Sequence, residues 1–152
     1  MNYIDFFKLQ AKNLFRDYQT RTKVFDQAIG DYLYEYNPKY FDIDCLILDY
    51  DINEDDFSLM TAQHYIAKLV GFRKWTDLVK SSDAEQELAK LLFDNQDKVS
   101  AEDWEMYIHS TEHDNNLIFD ADTRLEIFKK VFENVDGHVS TFPDYRLPTK
   151  SS

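Results

Sequence analysis

Three glycines, three prolines and one cysteine in 152 residues exclude several classes of protein at once. Cys45 has no second thiol to pair with, so the chain has no intrachain disulfide, as expected of a reducing, cytoplasmic setting. So little glycine and proline disfavours a β-sandwich, whose many turns need both. No apolar run approaches the roughly 18 residues of a membrane span, and no membrane association is expected. Asp5 and Lys8 interrupt the N-terminal stretch where a secretory signal would need an apolar core. There is no G-x-S-x-G, no phosphate-cradling glycine loop and no dinucleotide fingerprint, so the sequence calls for no cofactor.

What is present fits a helical core. Hydrophobic residues make up 43% of the chain and aromatics 16%, too many for intrinsic disorder. A domain of this length buries roughly 70% of its unfolded surface and needs no metal to stand. Ile4, Phe7, Ala11, Leu14, Phe15 and Tyr18 recur every three or four residues and share one helical face. Phe25, Ala28, Ile29, Tyr32, Leu33 and Tyr36 do the same, and predict a second helix or a continuation of the first. Asn37-Pro38 closes that region, and the pair is also suited to open another helix. Within 40–50, Phe41, Cys45 and Leu48 suit a helix, whereas Phe41, Ile43, Cys45 and Ile47 alternate as in a strand. The lack of a partner strand favours helix.

Ser82 with Glu85 and Ser100 with Asp103 read as helix starts. Their apolar stripes are Ala84, Leu88, Leu91, Leu92 and then Trp104, Tyr107, Ile108. A last helix begins at Asp120 or Asp122, carries Leu125, Phe128, Phe132 and Val135, and ends at Gly137. The expectation is one all-α domain of five to seven helices over 1–138, with 139–152 as an extended or loose tail.

The stretch 58–80, SLMTAQHYIAKLVGFRKWTDLVK, organises the rest. Leu59, Ala62, Ile66, Leu69 and Val70 share a face, Ser58 is placed to cap it, and Gly71 permits a left-handed end. Ala67 and Gly71 let two helices cross closely, with Phe72 and Trp75 expected to be buried at the crossing. Net charge is −12, and it is uneven: residues 41–57 hold seven acids and no base, and residues 83–122 hold twelve acids against two bases. Only 58–82 is locally basic. In a helix-turn-helix reading, Arg73, Lys74 and Lys80 would meet phosphates or guanine edges. The acidic blocks would repel a polyanion, and their carboxylate density is also what a nucleic-acid mimic would display.

Ala62-Gln63, Ile66-Ala67, Gly71-Phe72, Trp75 and Leu78 resemble the AQ-x-x-[IL]-A-x-x-x-GF-x-x-W-x-x-L pattern of a small helical module. That module stands before glyoxalase-superfamily domains and in some bacterial ankyrin-repeat proteins. Ala11-Lys12 is similar to an alanine–lysine pair in its first helix. The resemblance implies a bacterial interaction module with no catalytic role. The βαβββ units and metal ligands of a glyoxalase domain have no counterpart here, so that activity does not carry over.

Three further patterns touch on chemistry. His109-Ser110-Thr111-Glu112-His113 matches H-x-x-E-H, in which two histidines bind zinc and the glutamate acts as base. Only Glu126 and Glu133 remain downstream as a third acidic ligand, and histidines near a helix C-terminus are favourable without metal, so no metal is assigned. The stretch 49–55 begins like a calcium loop, but Glu54 stands where glycine makes the turn and Met60 where a bidentate glutamate belongs. Cys45, among acids, would have a raised thiol pKa and reads as core. The sequence thus points to a non-enzymatic bacterial cytosolic protein that binds another protein, with some Tyr and Phe left at the interface.

Overall fold

The computed structural model describes residues 3–148. Its spine is α1 (Tyr3–Gln19) packed on α3 (Leu59–Leu69). α1 buries Phe7, Ala11, Leu14 and Tyr18, the stripe that its spacing requires. α3 turns Ala62, Ile66 and Ala67 inward, and the small side chains of Ala11, Ala62 and Ala67 let the two backbones approach. Ser58 caps α3 and shares a reciprocal box with Thr61. At the far end, the Phe72 N–H donates to the Ala67 carbonyl and the Gly71 N–H to that of Lys68, a Schellman ending. Gly71 sits at φ 94°, a conformation that resists a Cβ.

α4 (Trp75–Val79) has only five residues, and this changes the expected packing. One and a half turns aim one side chain fully inward, and that side chain is Leu78. Phe72 and Trp75 are half-buried against the first core and are not enclosed by it.

α5 (Asp83–Asp94) separates two apolar clusters. Ala89 and Phe93 join the cluster around α1 and α3; Leu92 joins a second one with Val99, Trp104, Ile108, Phe128 and Phe132. The inward face of α5 is Gln86, Ala89, Leu92 and Phe93, rotated from the expected stripe, so Ala84, Leu88 and Leu91 are half-buried. The second cluster is closed by α6 (Ala101–Asn115) and α7 (Ala121–Phe128), which a π-helical turn at Lys129–Glu133 continues. Ser82, Ser100 and Asp120 accept the expected capping bonds. The last helix stops at Asn134, before Gly137, and leaves Val135 exposed.

The fold is mostly helical but not all-α. Residues 22–35 form an antiparallel hairpin of β1 (Thr22–Asp26) and β2 (Asp31–Glu35), where the apolar spacing predicted a helix. Two residues decide against the helix. Asp26 turns its carboxylate onto the Ala28 N–H at 2.8 Å, and Gly30, at φ 69°, donates its N–H to the Asp26 carbonyl. The β-branched and aromatic residues on either side then pair as strands.

α2 (Ile43–Tyr50) is the helix favoured for that stretch, but Asp42 caps it and Asn37-Pro38 opens nothing. Phe41 forms an isolated antiparallel bridge with Arg146. Around it the Asp42 N–H donates to the Tyr145 carbonyl and the Leu147 N–H to that of Tyr40. The tail is therefore extended but not loose as far as residue 148, with Tyr145 buried. No helix among the described residues is long and apolar enough to cross a membrane.

Candidate functional site

The hairpin leaves the body at a stem held by side chains. Asp17, in the last turn of α1, is 1% exposed, and its carboxylate accepts the N–H groups of Lys39, Tyr40 and Phe41 at 2.7–2.8 Å. Thr20 Oγ1 accepts the Asn37 N–H at 2.9 Å. The chain entering the hairpin and the chain leaving it are thus tied together beneath β1 and β2.

The register pairs Thr22 with Glu35, Val24 with Leu33 and Phe25 with Tyr32. Because side chains alternate across a strand, Lys23, Phe25, Tyr32 and Tyr34 occupy one face. Val24 and Leu33 lie on the other with Asp26, Asp31 and Glu35. On the first face Phe25 meets Tyr32 edge-on at 5.2 Å, the Lys23 ammonium lies over Tyr32, and the Arg21 guanidinium lies 4.4 Å over Tyr34. Phe25 is 51%, Ile29 58%, Tyr32 56% and Leu33 47% exposed. Phe25 and Tyr32 thus expose their rings on one face and Leu33 its side chain on the other, with Ile29 exposed in the loop that joins the strands.

The acidic stretch that began like a calcium loop orients this hairpin. Tyr36 donates to Glu54 Oε2 at 2.7 Å, Tyr34 to Asp55 Oδ1 at 2.8 Å, and Tyr18 and Arg21 both donate to the Glu54 carbonyl. Burial, followed by the bond to Glu54, pushes the Tyr36 phenol well above its ordinary value, so it stays a donor across the physiological range.

The residues singled out in the sequence lie elsewhere. Ala67 is buried on α3, and Gly71 ends that helix before the turn into α4. Arg73, Lys74 and Lys80 are exposed around α4. As a recognition element α4 would reach about 7.5 Å at 1.5 Å per residue, short against a major groove about 12 Å wide. Arg73 also shares its cleft with Glu102 and Glu105. Phe72 separates that cleft from a cavity of about 340 Å³ lined by Leu88, Leu92, Trp104 and Phe119. Most of the charged groups around this cavity are engaged, Glu85 with the Ser82 N–H, Glu105 with His109 and the Arg124 Nη2 with Glu112, whereas the buried Arg124 Nε has no hydrogen-bond partner among the described residues.

Glu112, the would-be base, is a structural group. It accepts the Phe119 N–H at 2.7 Å and pairs with Arg124 at 3.0 Å, closing the α6–α7 loop. His109 is bracketed by Glu105 and Glu112, while His113 is exposed. Among the described residues no three metal-ligating side chains converge. Cys45 is half-buried; burial, then Asp49 and Asp42, raise its thiol pKa.

The Glu112 carboxyl is held below its ordinary 4.5, chiefly by the Phe119 N–H and, against the opposing effect of burial, by Arg124 and His109. With the folded value the lower one, its contribution is complete above 4.5 and is lost as pH falls through the depressed value. Glu112→Gln is expected to be less stable at pH 7 yet to lose less on acidification from about pH 5 to 3. Urea midpoints measured across that range check this; parallel curves for the two proteins would contradict it.

No protein-family model, curated protein or solved structure matches this chain.

Proposed function

We propose that this chain is a non-enzymatic, cytosolic bacterial interaction domain that binds another protein through the hairpin 22–35. The exposed ring pair of Phe25 and Tyr32, with Ile29 exposed in the loop and Leu33 on the opposite face, carries this reading. A two-stranded hairpin is marginal alone in water, yet this one is held up from the body by Asp17, Glu54 and Asp55 with its rings outward. The partner's chemistry follows from charge: a protein of −12 whose hairpin carries Asp26, Asp31 and Glu35 attracts a basic surface. The groups that invited a catalytic reading, Glu112 and Cys45, are tied into the fold.

The test is affinity purification from the source cell with wild-type bait beside Phe25→Ser/Tyr32→Ser. The expected result is a basic protein that co-purifies with the wild type and is lost from the variant. The melting temperature should fall by no more than a few degrees, since an exposed cross-strand ring pair contributes roughly 0.5–1.5 kcal/mol. A partner retained by the variant, or no partner and a small metabolite that raises the melting temperature, would overturn the proposal.

A further inference from the structure

We infer that the partner enters as an extended strand along the outer edge of β2, with basic and apolar residues in alternation. This rests on the hairpin being the binding surface, and specifies what it receives. Neither strand has a second pairing partner among the described residues, so each offers a free edge for strand addition. The two edges are not equivalent. The Tyr32 N–H donates to the carboxylate of its own neighbour, Asp31, at 2.7 Å, so it points away from β1. Alternation along the strand sends the Tyr34 N–H the same way. The β2 edge is thus a row of outward backbone groups, and Asp31 occupies its first donor until a strand arrives.

Side chains set the pattern of that strand. On one face β2 presents Tyr32 and Tyr34; on the other it presents Asp31 and Glu35 on either side of Leu33. An incoming strand laid beside β2 places alternate residues on alternate faces. Apolar residues then pack beside the tyrosines, and Lys or Arg residues meet Asp31 and Glu35. The edge of β1 is poorer in both respects, since Lys23 stands beside its single ring, Phe25, and Asp26 is its single acid. A second copy of this chain fits less well: two β2 edges paired antiparallel about Leu33 set Asp31 against Glu35, like charges face to face.

The probes are two labelled peptides, (Lys-Val)4 and (Glu-Val)4, at about 150 mM salt, where surface attraction is screened beyond about 8 Å. Binding is read by fluorescence anisotropy and by amide shifts of the labelled protein. The lysine peptide is expected to bind about tenfold or more tightly than the glutamate peptide, as two charge-assisted contacts allow. Its shifts should centre on residues 31–35, and the preference should reverse in Asp31→Lys/Glu35→Lys. Equal binding of the two peptides, shifts centred elsewhere, or a lysine preference that survives the reversal overturns the edge assignment. If the double variant fails to fold, the wild-type shift map decides alone. None of these failures touches the hairpin surface itself, which stands or falls on partner loss in Phe25→Ser/Tyr32→Ser.

Discussion

Asp17→Ala is expected to destabilise the protein by about 4 kcal/mol, because the buried Phe41 N–H and the partly buried N–H groups of Lys39 and Tyr40 lose a charged acceptor together. Charge-assisted bonds contribute roughly 1.5–3 kcal/mol each, but the three share one carboxylate and cannot be counted independently. For a chain of this length the loss corresponds to a melting temperature lower by about 10 °C. Asp17→Asn should fall between, since the amide keeps one acceptor and turns a donor toward the remaining N–H groups. Thermal and urea unfolding of the three proteins tests the order. An Asp17→Ala variant within 1 kcal/mol of wild type would show that water replaces the carboxylate, and that the stem is not held as described.

Trp104→Ala is expected to cost about as much, roughly 3–5 kcal/mol for a large buried aromatic. The indole is 1% exposed and meets Phe128 at 5.2 Å and Phe132 at 6.0 Å, both edge-on. It borders the cavity beside Phe72, so truncation enlarges an existing space that the ring now bounds. Trp104→Phe keeps an edge for Phe128 and should lose roughly half as much. Emission offers an independent check: once Trp104 is replaced, half-buried Trp75 is the sole indole, and the spectrum should shift to the red. An unshifted spectrum would mean that Trp104 is wetter than its surroundings imply.

The helical parts of this fold were legible because local signals agreed with tertiary need. The Phe7–Ala11–Leu14–Tyr18 stripe, the Ser58, Ser82, Ser100 and Asp120 caps, and the Gly71 ending each act within a few residues, where sequence carries the information. The hairpin was misread because Phe25, Ile29, Tyr32 and Leu33 lie three or four apart and so imitate a helical face. Asp26 before the four-residue loop 27–30 and Gly30 at its end are the turn signal in this stretch. Asp17 was not legible as an anchor, since its partners are backbone groups 22 to 24 positions away that nothing in their side chains announces. The same holds for the tail, where Tyr145 accepts the Asp42 N–H and Arg146 bridges Phe41 through backbone groups. On function, the aromatic content predicts rings left on the surface, and Phe25 and Tyr32 are exposed; that they form an interface is the proposal. Charge drew attention to Arg73, Lys74 and Lys80, whereas the exposed rings stand on the hairpin.

Asp17, Thr20 and Asn37 hold the chain together below the strands, and none of them lies on the docking face. On the proposed reading, Phe25, Ile29, Tyr32 and Leu33 would meet the partner while standing outside the bonds that fix the stem, so replacing them should leave the helices folded. On that reading, a new target calls for changes in one short ribbon and none in the helical body.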